Sequence, residues 1–329
     1  MSIRSVSRAR LLGAVSLVAL VGLLSVLLLQ GRARSATRTD TMTSVAHSVP
    51  TAAAKSSSAA PSEAAAPSEA ATPTASASPS PAPTPTPTPS PTPDAALLAA
   101  VAQAQSPTAV SVAVTDLSTG RTLSYGAAGH AFATASIVKV DILSTLLLQA
   151  QDQGTTLTAE QESLATTMIE NSDNDSASAL WLDIGQESGL NAANQRFGLT
   201  STSGGTEGNW GLTTTTAADQ LTLLRQVFTG DSLLSPASRS YIQGLLAQVE
   251  SDQRWGVSAA ASGNDYAVKN GWLPRSATGL WVINSIGEVQ RDGHQLLIAV
   301  VSDGNTSESG GISLVQSVAQ AAAGSLGTS

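Results

Sequence analysis

Three short stretches of this 329-residue chain carry residue types that together could break an amide bond. Ser136-Ile137-Val138-Lys139 sets a hydroxyl and an amine three positions apart, on one face if the stretch is helical. A serine hydroxyl is a poor nucleophile until a base takes its proton. Lys139 is surrounded in sequence by Ile137, Val138, Val140, Ile142 and Leu143. An amine desolvated in such a setting loses part of its preference for the charged form and can serve as that base. At a helix start, Ser136 would also lie at the positive end of the peptide dipoles, which favours a developing anion.

The second stretch, Ser172-Asp173-Asn174, adds a hydroxyl able to relay a proton and an amide able to hold a carbonyl. The same residue types are favoured helix caps, so a purely structural role stays open. The third, Lys269-Asn270-Gly271, reads as a strand ending in a lysine, with a glycine that permits close approach to the backbone. An Asn-Gly turn after a strand-end cation is the alternative. Lysine usage favours chemistry at both cations. The chain has only Lys55, Lys139 and Lys269, whereas its folded part uses arginine at 121, 196, 225, 239, 254, 275 and 291. Lysine is needed where an amine must lose its proton or act as a compact point charge.

These residues have to be positioned by regular elements, and the pattern supplies them. Asp94 after Pro93 is a capping signal for an apolar helix over Ala95–Gln105. Ala109–Asp116 alternates as a strand and Arg121–Tyr125 returns after the Ser118-Thr119-Gly120 turn. A long apolar helix is expected from Ser136 to Gln149, with helical or loop-rich sequence continuing to Glu250, including Ala217–Phe228 and Pro236–Val249. Strands return at Tyr266–Lys269, Leu280–Ile286 and Leu296–Val301, the last pair joined at Arg291-Asp292-Gly293, and a helix over Gly311–Ala323 closes the chain. Strands at both ends with helices between them predict an α+β fold: one antiparallel sheet flanked by terminal helices, plus an all-helical lobe.

Composition narrows the classes. A net charge of −8 and a pI near 4.8 argue against nucleic acid, whose binding needs clustered cations. With no cysteine there is no disulfide, thiolate metal site or cysteine nucleophile. No His/Asp/Glu ligand cluster is legible either, so a protein without metal or cofactor is expected, and a monomer. Arg4, Arg8 and Arg10 precede an uncharged apolar run, Leu11–Leu29, long enough to span a bilayer as a helix. Residues 1–35 are therefore expected to be a cytoplasmic tail and signal-anchor, in preference to a removable signal peptide. Residues 36–93 are Ala, Ser, Thr and Pro with few large apolar side chains, ending in a proline-alternating run. They are expected to form a disordered, partly polyproline stalk, leaving residues 94–329 as one extracytoplasmic folded domain.

Ser-x-x-Lys, Ser-Asp-Asn and Lys-x-Gly in that order resemble the signature of penicillin-binding proteins and class A β-lactamases. The resemblance covers Asp94 to Ser329 and extends to Leu212-Thr213-Thr214-Thr215-Thr216-Ala217. It implies a β-lactam or peptidoglycan-like substrate attacked by Ser136, with Lys139 as base and Ser172 passing a proton to the leaving nitrogen. It further implies that Asn174 binds the substrate amide and that Lys269, Asn270 and Gly271 shape the site around its carboxylate. The backbone amides of Ser136 and Trp272 would form the oxyanion hole.

The chain also departs from that pattern. No Glu-x-x-Leu-Asn occurs between Asn174 and Leu212, which leaves Glu207 as the candidate deacylation base and Glu187 as a poorer one. Ser178 stands where the family usually has asparagine, Asn270 replaces threonine or serine, and the stretch from Lys139 to Ser172 is short. Acylation with impaired deacylation is the expectation. A D,D-peptidase and a non-catalytic wall-binding module are the alternatives. A Ser-His-Asp enzyme would have to use His130 or His294.

Overall fold

The computed structural model describes residues 92–327. The expected signal-anchor and all but the last residues of the expected stalk lie outside them. No helix among the described residues is long and apolar enough to cross a membrane.

Helix α1 (Ala95–Val101) opens at Asp94, whose carboxylate accepts from the Leu97 amide at 2.9 Å, as the capping pattern predicts. It ends at Val101, short of the expected Gln105, ahead of Ser106-Pro107, where the ring disfavours helix in the preceding residue. Strands β1 (Ala109–Asp116), β2 (Thr122–Gly126) and β3 (Phe132–Ala133) follow. The helical lobe comprises α2 (Val138–Asp152), α3 (Ala159–Glu170), α4 (Asn174–Asp183), α5 (Gln186–Phe197), α6 (Ala217–Phe228) and α7 (Pro236–Leu246). Strand β4 (Thr214–Thr215) precedes α6 and pairs with β3. The chain closes with β5 (Tyr266–Arg275), β6 (Leu280–Arg291), β7 (His294–Asn305) and α8 (Glu308–Gly327).

Five strands form one antiparallel sheet in the order β2-β1-β7-β6-β5. Along β7, Leu296, Ile298 and Val300 pack with α1 and α8, while Leu297, Ala299 and Val301 pack with the helical lobe. Burial of both sheet faces explains why this strand reads as a continuous apolar run without alternation. Residues Val138 to Leu148 of α2 are buried all round, so α2 is the lobe's central helix, surrounded by its neighbours. The architecture is the α+β arrangement expected, with its terminal helices on one face of the sheet.

Two local readings need correction. The helix expected from Ser136 begins with a 3-10 turn over Ala135–Ile137 and becomes α-helical at Val138. The strand expected to stop at Lys269 runs on to Arg275 in unbroken register with β6, so Asn270-Gly271 lies mid-strand and makes no turn. The residues that follow, Trp272 and Leu273, pair with Ile283 and Val282, which extends the ladder past the glycine.

Candidate functional site

The site lies where the edge strand β5 meets the start of α2. Ala135 takes a left-handed φ of 47°, a conformation that disfavours side chains, and turns the chain into the helix so that Ser136 stands at the cavity wall. Ser136, in the 3-10 turn, and Lys139, in the first turn of α2, are three residues apart and share one face. Lys139 Nζ accordingly reaches 3.1 Å from Ser136 Oγ. The edge position of β5 leaves one side of its backbone free, and Gly271 occupies the point of closest approach. A Cβ there would sit 2.7 Å from the Ser136 nitrogen and 2.8 Å from the Thr134 carbonyl oxygen. The close neighbour that requires glycine is thus the protein's own 134–137 turn, which carries Ser136.

Lys139 is fully buried, and among the described residues no carboxylate forms an ion pair with it. Besides Ser136, its amine meets Ser172 O at 2.6 Å, Ser172 Oγ at 3.1 Å and Asn174 Oδ1 at 2.9 Å. Desolvation lowers its pKa to about 7, against a smaller upward pull from Asp173. Ser172 presents both its carbonyl and its hydroxyl to Lys139 because it adopts a left-handed φ of 56°. Asp173 then caps α4, accepting from the Ser176 amide at 2.7 Å. The two readings left open by the sequence therefore coexist: Asp173 caps, and the residues either side of it face the amine.

Lys269 is likewise fully buried, donating to Ser172 Oγ at 3.0 Å and to Asn270 O at 3.2 Å. Burial, followed by the nearby Lys139, holds its pKa well below the ordinary lysine value. One hydroxyl thus stands between two amines. The Asn270 side chain points elsewhere: its amide donates to Gln253 O at 2.6 Å and Trp255 O at 2.9 Å, pinning the segment behind β5. The structure brings Ser136, Lys139, Ser172, Asn174, Lys269, Gly271 and Trp272 together, and does not bring the Asn270 side chain to the cavity.

That cavity has a volume of about 550 Å³ and is walled by Ser136, Asn174, Trp210, Trp272 and the end of β5 through Arg275. Its opposite wall is the loop Gly208–Leu212. Glu207, one residue outside this wall, is exposed and has φ of 54°. Glu187 lies on α5 beneath Gly204 and does not line the cavity. The group that reaches Lys139 from this loop is Trp210, whose ring centroid is 4.9 Å from Nζ. His130 and His294 are engaged with Asp303 at 2.8 Å and Asp116 at 2.9 Å, and neither lines the cavity.

Sequence reading missed two residues that shape this site. Trp210 was legible only as an aromatic residue in a glycine-rich loop. Asn284, on β6 directly across from Gly271, is completely buried and donates to both Ala133 O and Thr134 O at 2.9 Å, while accepting from the Ser302 amide at 3.0 Å. Its side chain fixes the segment leading into the turn that carries Ser136. Nothing in its local sequence distinguishes it from a strand-interior polar residue. Asn284→Ala removes a partner from the Ala133 and Thr134 carbonyls and from the Ser302 amide, so a loss of about 1–3 kcal/mol in urea unfolding is expected.

The fold so built matches solved structures of PBP-A and of class A β-lactamases. PBP-A superposes with a TM-score of 0.62 at 19% identity, covering 73% of this chain and 99% of that one. A class A β-lactamase from Bacteroides cellulosilyticus gives 0.62 at 15% identity, covering 72% and 99%. The family model of the beta-lactamase enzyme family matches residues 144–326, more than half of the chain. The chain belongs to the beta-lactamase enzyme family. The matched segment begins just beyond Lys139, so the placement of the Ser136–Lys139 pair rests on the geometry above. A protein of Mycobacterium tuberculosis and M. bovis bearing the lipoprotein name LppW is 30% identical over 170 residues, half of this chain and 54% of the relative. The chain thus matches only about half the length of these curated relatives.

Proposed function

We propose that this protein is a β-lactamase-like serine hydrolase that opens a β-lactam or related amide by forming an acyl-enzyme on Ser136. The observation that carries the reading is the hydrogen-bond complement of Lys139. An uncharged amine has two N–H donors and one lone pair. Ser172 O and Asn174 Oδ1 are acceptors that engage both donors, at 2.6 and 2.9 Å. The lone pair is then left for a hydroxyl proton. Ser136 Oγ and Ser172 Oγ each stand 3.1 Å away, and Ser136 is the one of the two that lines the cavity, while Ser172 Oγ also accepts from Lys269. With a pKa near 7, a large share of the amine is uncharged at neutral pH.

In this reading, Ser136 Oγ attacks the carbonyl carbon as Lys139 removes its proton. The Ser136 and Trp272 backbone amides receive the oxyanion. Ser172, bonded to both amines, passes a proton to the departing nitrogen. Asn174 binds the substrate's amide, and Lys269 attracts its carboxylate from behind Ser172. Gly271 admits the turn that carries the nucleophile. Glu207, exposed beside the cavity wall, is the candidate for activating the deacylating water. A single-substitution variant of PBP-A, whose fold this chain shares, is known as an acyl-enzyme complex with penicillin G.

A peptidoglycan D,D-peptidase is the second reading, favoured by the aromatic wall that stands next to Lys139 where no carboxylate reaches it. Location outside the membrane, with residues 11–29 as the tether and 36–93 as the stalk, is supported by the apolar run and by the lipoprotein name of the mycobacterial relatives.

Intact-mass analysis of the full chain during incubation with penicillin G tests the proposal. A single persistent adduct is expected on the wild type and none on Ser136→Ala. An adduct of equal stoichiometry on Ser136→Ala would refute the assignment. Rapid nitrocefin turnover would select the β-lactamase reading over the peptidase.

A further inference from the structure

Trp210 has no role in the chemistry set out so far, yet it is the side chain from the 204–212 loop that touches the amine. Its ring lies 4.9 Å from Lys139 Nζ, and its indole Nε1 donates to Ser178 Oγ at 3.1 Å. Ser178 Oγ in turn donates to Asn174 O at 2.9 Å, so the indole is anchored to the first turn of α4, beside the Asn174 side chain that bonds Lys139. The loop thus presents the amine with an uncharged carbon face.

Resting on the acyl-enzyme reading, we propose that Trp210 is a positioning residue that seals the Lys139 side of the site. It keeps bulk water from the amine before acylation and from the ester afterwards. A ring over an amine has two opposing effects. It excludes water, which disfavours the ammonium, and its π face attracts the ammonium. The amine's depressed pKa, with burial as its largest cause, indicates that exclusion of water prevails. The charged groups facing this amine are few. Asp173 approaches from the turn before α4, and Lys269 from β5. On α2 itself Asp141 is bonded to Asn194, and on the loop Glu207 is exposed.

The second consequence concerns hydrolysis. Deacylation joins a water oxygen to the acyl carbon and breaks the bond from that carbon to Ser136 Oγ. One water proton returns to Oγ and the other leaves with the carboxylic acid product. The water must approach the ester within reach of a base, and on the Lys139 side the indole occupies that approach.

The test uses the full chain, a fluorescent penicillin and intact mass, with wild type, Trp210→Ala, Trp210→Phe and Ser178→Ala compared over pH. For Trp210→Ala, the rising limb of acylation should move up by roughly one pH unit or more as the amine rehydrates. Its adduct should also decay about tenfold faster or more as water gains access. Trp210→Phe, which keeps the apolar face, should restore the wild-type limb. Ser178→Ala, which frees the indole, should shift both readouts in the direction of Trp210→Ala and serves if that variant fails to fold. A limb that stays in place or moves down, or an unchanged adduct lifetime, in both Trp210→Ala and Ser178→Ala would overturn the proposal. A wild type that never acquires label on Ser136 would instead overturn the acyl-enzyme reading beneath it.

Discussion

Lys139→Arg is expected to lower the rate of Ser136 acylation by about 10³-fold, within the range that a positioned general base contributes. The substitution keeps the positive charge and a comparable reach, so any role of Lys139 as a simple cation would survive it. A guanidinium does not lose its proton at working pH and offers no lone pair to the hydroxyl. Wild-type acylation should rise as pH passes through about 7, because burial has moved the amine's titration there and only the uncharged form can accept the Ser136 proton. Below that pH the ammonium's third N–H takes the place of the lone pair and the rate falls. The arginine variant should show a flat profile at the residual level. Second-order labelling rates with a fluorescent penicillin between pH 5 and 9 measure both features. An arginine variant acylating within tenfold of wild type at pH 7 would show that another group is the base.

The lysine economy of the sequence pointed to this pair because the physics is local. Spacing sets which residues share a turn, and a surrounding apolar run sets the cost of charge. The α+β arrangement was legible for a similar reason: β1 and α6 begin and end where the alternation and the helical periodicity of their sequences place them. What was not legible depends on tertiary neighbours. Lys269 was expected at a strand end because the Asn-Gly dipeptide is a turn signal, but pairing with Ser285 and Asn284 carries β5 through it. Asn270 was expected to face substrate from its place in the motif. Two backbone carbonyls at Gln253 and Trp255 instead hold its amide behind the strand. Trp210 is held by tertiary contacts, among them its bond to Ser178, thirty-two residues earlier, and its packing against the lobe's core, and no periodicity within the loop encodes them.

Gly271→Ala is expected to be the most damaging single-methyl change in the site, lowering acylation by about 10²-fold, the effect typical of an ångström-scale misplacement of reacting groups. The reason lies in what surrounds its Cα. The added carbon would come within 2.7 Å of the Ser136 nitrogen, 2.8 Å of Thr134 O and 2.9 Å of the Ile137 nitrogen. All three are backbone atoms, so no flexible side chain can swing aside. Neither partner moves readily. Strand β5 is held in register by β6, and the turn is fixed from the same side by the Asn284 amide on Ala133 and Thr134. Relief must come from pushing the turn away from the strand, which would separate the Ser136 and Trp272 amides and pull Ser136 Oγ from Lys139. Strain of this kind costs about 1–3 kcal/mol, so the variant should fold with a reduced Tm while its acylation falls much further. Thermal unfolding and penicillin labelling on the same preparation separate the two losses. If Gly271→Ala acylates at the wild-type rate, the nucleophile is not braced against the edge strand, and the shared position of the two oxyanion amides has to be abandoned.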